Sequence, residues 1–300
     1  MSDIAFCAAL ACGLVGSFYL WPNERRFALL CLKDLKKASE YGPQFVDRDD
    51  HSVVQKRLVS FLTCTFLNVL LLEYIWRNEA DDKRVIWGSV FVYHLLCSEG
   101  TFGGSIKVVL GSFIGTLALF SGVIFERGGI CWHYFREDPI LVLRSIICPF
   151  GEELLFRATF LNLLQHRRSV SSSIILSSVI FTFSHTHLVF SLVTDEYRNR
   201  IMSGETKPSI ITCWGRAVQK LCVLFLCTFA CGLLCGYYFT TICRNNILAV
   251  FLSHLLCNLM GPPTLAFMQE TSRKKRFTGV IAYGGGIMGW VAIVSSLKSW

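Results

Sequence analysis

Charged residues are scarce in this sequence: they make up 17% of its 300 residues, whereas soluble globular domains carry about 25%. The deficit extends along the whole chain, and 53% of the residues are hydrophobic. These proportions exclude an ordinary soluble domain and predict an all-α, polytopic membrane helix bundle. At about 20 residues per span, the chain accommodates roughly seven to nine transmembrane helices around a polar cavity. Nothing resembles a separate soluble domain, so we expect residues 1–300 to form a single integral-membrane domain.

Common signatures of metal and disulfide chemistry are also absent. The sequence contains no Cys-x-x-Cys pair, no Cys/His zinc spacing and no His-Glu-x-x-His motif. Its 14 cysteines lie mostly inside apolar segments, and Cys227, Cys231 and Cys235 recur every four residues on one helical face. We interpret them as reduced thiols that act as small apolar packing residues.

The net charge of +8 comes from basic residues in the polar stretches between the apolar segments. Such residues orient helices and contact anionic headgroups, so we expect membrane lipids as partners. Nucleic acid is not expected as a partner, because no basic segment is interleaved with exposed aromatic residues in a soluble fold. The basic residues concerned are Arg25, Arg26, Lys33, Lys36, Lys37, Arg167, Arg168, Arg273, Lys274, Lys275 and Arg276.

Apolar segments that could cross or enter a bilayer recur along the chain. The first lacks a basic region before it and a cleavage context after it, which favours a retained helix over a signal peptide. The segment at 85–97 is short, and that at 138–165 should break at Pro149 because proline interrupts helices. The polar stretch 21–57 is expected to form a surface helix and a loop. The apolar segments are roughly 4–20, 58–76, 85–97, 105–125, 138–165, 171–193, 217–243, 247–266 and 278–297.

Three polar clusters interrupt the apolar segments in the second half of the chain. An ionisable side chain at membrane depth costs about 2.5–3.5 kcal/mol on insertion scales, so a chain that carries several there is expected to use them. Two carboxylates, two histidines and an amide are also the groups that activate water and stabilise an oxyanion. The clusters are Gly151-Glu152-Glu153-Leu154-Leu155-Phe156-Arg157, Phe181-Thr182-Phe183-Ser184-His185 and His254-Leu255-Leu256-Cys257-Asn258. They favour hydrolase chemistry inside a membrane.

The first cluster contains two adjacent glutamates, whose side chains diverge by about 100° on a helix. Glu153 and Arg157 are four residues apart and share a face, which is the geometry of an ion pair. Glu152 faces elsewhere and is the better candidate for a free carboxylate that acts as a general base. The alternative is a structural Glu–Arg network that joins helices, as is common inside membrane bundles.

The other two clusters each present a histidine. Phe181 and His185 are four residues apart and share a face, while His187 is expected to project to another side. His254 and Asn258 have the same spacing and offer two aligned donors, each of which can contribute about 3–4 kcal/mol to a developing oxyanion. The alternatives are a packing histidine in the second cluster and an interhelical polar clasp in the third.

Together the three clusters resemble the signatures of the CAAX prenyl protease 2 family. The first matches its Glu-Glu-x-x-x-Arg signature, the second its Phe-x-x-x-His signature and the third its His-x-x-x-Asn signature. The Met-Gly-x-Pro tail at 260–263 is typical of eukaryotic members. The resemblance covers 149–263 in the family's order and spacing, and it implies a catalytic core at approximately 138–266. The N-terminal half is similar only in being membranous.

The resemblance implies a multi-pass endoprotease of the endoplasmic reticulum membrane that needs neither a metal nor another cofactor. Its substrates would be prenylated proteins that end in Cys-a-a-X, of the small GTPase kind. Such enzymes remove the last three residues and leave prenylcysteine as the new C-terminus.

By motif position, the family's roles fall on six residues. The first glutamate and the first histidine activate water, the second histidine and the asparagine hold the oxyanion, and the second glutamate and the arginine orient the site. The expected water activators are therefore Glu152 and His185. The expected oxyanion donors are His254 and Asn258, and the expected orienting residues are Glu153 and Arg157. This assignment agrees with the one drawn from helical spacing.

Other functions remain open at this point. A zinc protease could use Glu152, His185 and His254 as its three protein ligands. A non-proteolytic relative could use the clusters for binding at the membrane, and a cation transporter could use buried carboxylates as relays, although no internal repeat supports a transporter. Cys257 lies next to Asn258 and so points about 100° away from it, which argues against a cysteine protease.

Overall fold

The computed structural model describes residues 3–47, 50–79, 102–129, 139–243, 245–263 and 265–298. The regular secondary structure of these residues is helical, which confirms the predicted all-α class. The α-helices of seven or more residues are α1 (Asp3–Phe18), α2 (Pro22–Lys33), α3 (Leu35–Phe45), α4 (His51–Glu79), α5 (Phe102–Leu119), α6 (Ser121–Arg127), α7 (Pro139–Glu153), α8 (Val170–Phe183), α9 (Val189–Met202), α10 (Ile210–Tyr237), α11 (Ile247–Met260) and α12 (Arg273–Lys298).

Four helical stretches in the described residues are long and apolar enough to cross a membrane, or up to six if two bent pairs each form one span. The bent pairs are α1 with α2 and α5 with α6. The polytopic membrane class predicted from composition is therefore confirmed. The predicted segment at 85–97 lies outside the described residues, so the total of roughly seven to nine spans stays a prediction. The four stretches are His51–Leu71, Val170–Met202, Ile210–Ile242 and Arg273–Lys298.

The chain turns sharply after its first apolar helix. α1 and α2 meet at 98°, and Pro22 begins α2, where its missing N–H leaves no bond unmade. The stretch predicted to form one surface helix and a loop contains α2, α3 and the first turns of α4. Asp34 separates α2 from α3, and its carboxylate accepts a hydrogen bond from the backbone N–H of Lys37 in the first turn of α3.

The helix that carries the first polar cluster differs from the prediction at Pro149. α7 continues through Pro149, and the departure from α-helical geometry comes later, at Leu154–Leu161, which is π-helical. Proline removes one backbone hydrogen bond, and packing against neighbouring helices tolerates that loss in a membrane bundle, so the expected break does not occur. The hydroxyl of Thr159 donates to the carbonyl of Leu154, five residues earlier. Short π-helical segments inside α-helices are frequent at functional sites.

Two cores flank the π-helical segment. On one side, Phe156, Phe160 and Phe181 are buried with side chains of α1 and α4, and the ring centroids of Phe156 and Phe181 lie 5.0 Å apart. On the other side, Tyr238 is buried between α5, α11 and α12, and its hydroxyl accepts a hydrogen bond of 2.8 Å from Nε1 of Trp290. The polar clusters lie between these cores.

α8 is held against α10 by close approach of the two backbones. A Cβ on Gly232 would meet Ser178, and a Cβ on Gly236 would meet Ile174, so only glycine fits at these positions without a shift of the neighbours. Small residues four apart let membrane helices pack closely. This contact fixes the end of α8, where the second polar cluster lies.

α12 approaches α5 and α6 so closely that Gly286 has no room for a side chain. A Cβ there would collide with the carbonyl oxygen of Ala118 and the hydroxyl of Ser121, and the carbonyl is backbone that cannot rotate away. We expect Gly286→Ala to lower the free energy of unfolding by about 1–3 kcal/mol, the usual cost of overpacking. Thermal unfolding of the purified protein in detergent measures this as a lower Tm.

Gly284, two residues earlier in the same helix, provides the matched control. No atom lies within 4 Å of the position of its Cβ. Gly284→Ala should keep or raise the Tm, because alanine favours a helix over glycine by about 1 kcal/mol. Equal losses in both variants would show that α12 does not pack through Gly286.

Candidate active site

Two adjacent glutamates at the end of α7 occupy different environments. The side chain of Glu153 is completely buried, whereas that of Glu152 keeps 20% of its surface exposed. Glu152 reaches the walls of two cavities, and Glu153 points into the interior. Their angular separation of about 100° on a helix accounts for the difference.

Glu153 lies between an arginine and a histidine. Its Oε2 is 3.2 Å from Nε of Arg157, which is also fully buried, and its Oε1 is 2.6 Å from Nδ1 of His254. No guanidinium nitrogen has a hydrogen-bond partner among the residues that the structure describes, so the contact between Arg157 and Glu153 is electrostatic. The guanidinium carbon also lies 4.9 Å from the ring centroid of Phe181, a cation–π contact. The structure therefore brings together the pair suggested by spacing and adds His254 to it.

Phe181 contacts polar groups from all three clusters. Its ring centroid is 5.0 Å from that of His185 and 5.8 Å from that of His254, and both pairs are nearly perpendicular. Edge-to-face contacts of this kind favour one orientation of each ring. Phe181 was not among the residues predicted for the site, although its four-residue spacing from His185 was the available signal. We regard it as a positioning residue.

His185 follows α8 in a 3₁₀ turn, Ser184–Leu188, rather than in the continuous segment predicted for 171–193. Its Nδ1 lies 2.9 Å from the carbonyl oxygen of Phe181, and because a carbonyl only accepts, Nδ1 carries the proton. In the neutral ring Nε2 is then an acceptor that can take a proton from water. His187 lines the same cavity as His185, contrary to expectation, because a 3₁₀ turn spaces residues differently from an α-helix.

The third cluster lies on α11, a helix with well-defined ends. The side chain of Asn246 caps its first turn, and the helix ends before Gly261, whose φ is +60°. His254 is 3% exposed, and its Nε2 is 3.7 Å from Oε2 of Glu152. Asn258, one turn later, is exposed to both cavities. The structure thus brings the first and third clusters to one place.

Two cavities meet at Glu152, His185 and Asn258, which line both of them. The first has a volume of about 460 Å³ and extends along α1, α4 and α7. We call it the polar cavity, because Glu24, Arg57, Arg144, Glu152, His185 and His187 line it.

The second cavity has a volume of about 910 Å³ and extends along α10. His254 lies on its wall, and the rest of the wall is mostly apolar. We call it the apolar cavity; its α10 wall is formed by Leu224, Leu226, Cys227, Ala230, Cys231, Leu233 and Leu234. Cys257 also lines it, next to Asn258.

The N-terminal half contributes charged residues that the sequence analysis missed. Arg57 of α4 donates two hydrogen bonds to the carboxylate of Glu24 in α2, of 2.6 and 3.0 Å, on the wall of the polar cavity. The two residues are 33 apart in sequence, so no helical spacing could pair them. Their position in the polar stretch 21–57 was the only available signal.

One group of buried side chains has the donor atoms for a metal site. Within the described part of the chain, the group with three potential ligand atoms within 4.8 Å of one another is Glu153, Cys235 and His254, all buried. It shares only His254 with the zinc-ligand set considered from the sequence. The guanidinium of Arg157 already contacts the carboxylate of Glu153, and its positive charge opposes a cation at the same oxygen atoms. The arrangement fits an internal ion pair better than a metal centre.

Comparison with known proteins agrees with the order and spacing of the clusters. Residues 138–260 match a family described as type II CAAX prenyl endopeptidase, Rce1-like. CAAX prenyl protease 2 of Homo sapiens is 22% identical over 297 residues, which cover 94% of this chain and 77% of that protein. The Caenorhabditis elegans protein of the same name is 24% identical over 259 residues, 83% of this chain and 87% of that protein. The chain resembles the CAAX prenyl protease 2 family.

The resemblance suggested by the three motifs is therefore confirmed. The family match includes all three polar clusters, and the similarity to the human CAAX prenyl protease 2 extends over most of the chain, including the N-terminal half. No solved structure matches the chain.

The buried charges predict unequal effects of single and double substitutions. Arg157→Met leaves the carboxylate of Glu153 buried with His254 as its remaining partner, and we expect it to lower the free energy of unfolding by about 3–5 kcal/mol. Adding Glu153→Gln removes the uncompensated charge and should restore part of that stability. Thermal unfolding in detergent measures both variants.

An exposed ion pair provides the control. Arg198 contacts Asp195 on the surface, and Arg198→Met should change the free energy of unfolding by only about 0–1 kcal/mol. If Arg157→Met were as mild as Arg198→Met, or if the double variant were less stable than Arg157→Met alone, the compensation of Glu153 by Arg157 would be disproved.

Proposed function

We propose that this chain is an intramembrane endoprotease that removes the aaX tripeptide from prenylated proteins ending in Cys-a-a-X. Its resemblance to the CAAX prenyl proteases supports a CAAX-processing protease. The observation that carries the proposal is the meeting of a polar and an apolar cavity at Glu152. A prenylated CaaX tail has the same division, with a lipid at the cysteine and, beyond the scissile bond, a short peptide that ends in a charged carboxylate.

The substrate would occupy both cavities at once. The prenyl chain would lie in the apolar cavity against α10, where burial contributes about 0.8 kcal/mol per CH₂ group. The aaX residues would enter the polar cavity. Because Glu152, His185 and Asn258 line both cavities, the scissile carbonyl would lie at these three side chains.

Glu152 and His185 would activate the attacking water. Glu152 is partly exposed to the cavities, so a water molecule can reach its carboxylate. The hydrogen bond of His185 to the carbonyl of Phe181 leaves Nε2 as an acceptor, which suits a base. Removing a proton from water as it attacks is general base catalysis, and it contributes about 10²–10⁴ in rate.

His254 and Asn258 would stabilise the oxyanion. Because Glu153 already takes the hydrogen bond from Nδ1, His254 can donate from Nε2 only as the doubly protonated imidazolium. Two carboxylates, at Glu152 and Glu153, would then face two cations, Arg157 and His254, so the cluster is neutral before substrate binds. The amide of Asn258, one turn away, supplies the second donor.

The water molecule, its proton and the leaving amine can be followed through each step of the proposed hydrolysis. Water adds to the carbonyl carbon of the prenylcysteine as its proton passes to Glu152 or His185. The tetrahedral intermediate then collapses: the carbon–nitrogen bond breaks, and the same base returns the proton to the leaving amine. The products are a prenylcysteine carboxylate and a free tripeptide. Neither an acyl-enzyme nor a cofactor is required.

The proposal includes the setting of the reaction. Residues 1–300 would form a single membrane domain with a catalytic core at approximately 138–266. The enzyme would act in the endoplasmic reticulum membrane, on prenylated proteins of the small GTPase kind.

Hydrolysis of a farnesylated CaaX peptide by the purified protein tests the proposal. We expect cleavage after the prenylcysteine, and a loss of about 10²–10⁴ in kcat for Glu152→Gln, which removes the base. Glu196→Gln is the matched control, because it makes the same chemical change in a carboxylate that pairs with Arg200 and Lys220 outside both cavities. It should keep the wild-type kcat.

Three results would contradict this mechanism. Loss of cleavage on adding a strong zinc chelator, restored by zinc, would assign the reaction to a zinc protease. Loss of cleavage in Cys257→Ala with Glu152→Gln still active would assign it to a thiol. Folded wild-type protein that binds the prenylated peptide without cleaving it would be a non-proteolytic relative.

A further inference from the structure

The polar cavity follows one face of α7 away from the reacting groups. Arg144, Ser145, Cys148, Pro149 and Glu152 all line it, and their spacing of one, three, one and three residues is that of a single helical face. Of these five residues, all except Glu152 line only this cavity and not the apolar one. A substrate whose lipid lies in the apolar cavity would therefore extend its C-terminal tail along α7 toward Arg144.

The length of this face matches the length of the tail. Arg144 precedes Glu152 by eight residues, which at 1.5 Å per residue is about 12 Å along the helix axis. Three extended residues span about 10 Å, at 3.3–3.6 Å each. A carbonyl held at Glu152 therefore places the terminal carboxylate of an aaX tail close to the level of Arg144, within reach of its long side chain.

We propose that Arg144 binds the C-terminal carboxylate of the substrate and thereby sets the length of the released peptide at three residues. This inference rests on the proposed function. Arg144 is half-buried, and a guanidinium binds a carboxylate with charge-assisted hydrogen bonds. Glu152 and Arg144 carry opposite charges eight residues apart on the wall of the polar cavity, so a tail with a terminal carboxylate is oriented with its acid away from Glu152.

A second arginine, Arg57 of α4, lines the same cavity. Arg57 donates two hydrogen bonds to the carboxylate of Glu24, so its guanidinium already binds both oxygen atoms of a carboxylate within the protein. Its charge is compensated inside the protein. Arg57 therefore serves as the matched comparison, because it is an arginine of the same cavity that lies on α4 rather than on α7.

The experiment compares a farnesylated CaaX peptide that ends in a free carboxylate with the same peptide ending in a carboxamide. The wild-type enzyme should prefer the acid by about 10- to 100-fold in kcat/KM, the range for a hydrogen bond to a charged group. Arg144→Gln should bring this preference close to one by slowing cleavage of the acid, with little change for the amide. Arg57→Gln should keep the wild-type preference.

Each preference is a ratio of two rates measured in one preparation, so partial misfolding of a variant cancels from it. Arg144→Lys, which keeps the charge but loses the two-pronged geometry, should retain part of the preference. Acid peptides with two or four residues after the prenylcysteine test the length: the wild type should favour three, and Arg144→Gln should lose that selectivity, as shown by mass spectrometry of the products.

The outcomes separate this inference from the proposed function. A wild-type enzyme that cleaves acid and amide equally well would overturn the role of Arg144 and leave the protease intact. Loss of the acid preference in Arg57→Gln rather than Arg144→Gln would also overturn it. A wild-type protein that cleaves neither peptide would overturn both proposals.

Discussion

The carboxylate of Glu153 is fully buried. Removing one partner of a buried ion pair lowers the free energy of unfolding by about 3–5 kcal/mol, because the remaining charge is left uncompensated. The compensation of Glu153 comes from two places: Arg157, one turn along the same helix, and His254, which lies 101 residues later on α11. Phe181 of α8 contacts both Arg157 and His254. Because each group is needed to offset another, α7, α8 and α11 cannot shift independently without leaving a buried charge unbalanced.

The same constraint separates the roles of the two adjacent glutamates. Glu153 is committed to its internal partners, so it holds His254 in place and has no exposed surface from which to contact substrate. Glu152, turned by about 100°, lies 3.7 Å from the other nitrogen of the same imidazole and faces both cavities. His254 therefore links the position of Glu153 to that of Glu152, the proposed general base. In the proposed mechanism a single glutamate could not serve both roles, because the burial that suits the ion pair would exclude the attacking water.

Much of the candidate site could be predicted because it depends on helical spacing. The pairing of Glu153 with Arg157 and the common face of His254 and Asn258 are contacts between residues four apart, and any α-helix brings such residues together. The resemblance of the three motifs to a family also proved correct. Spacing could not predict the contact between Glu153 and His254, because it joins distant parts of the chain.

Local geometry accounts for the other differences. The break expected at Pro149 is absent, since neighbouring helices tolerate one missing hydrogen bond, and the π-helical segment that follows depends on packing that no sequence pattern reported. The 3₁₀ turn at Ser184–Leu188 likewise brings His187 to the polar cavity. Glu24 and Arg57 were missed because their pairing is a tertiary contact between α2 and α4.

A distance set by α7 can select a peptide length only if α7 is rigid between Arg144 and Glu152. Pro149 lies in this interval and removes one hydrogen bond, which by itself would allow the helix to flex. The packing at Gly151 opposes such flexing, because the ring of Phe61 in α4 occupies the space that a Cβ would take. α4 therefore holds α7 rigid beside Glu152, which would give the N-terminal half of the chain a physical part in the proposed length selection.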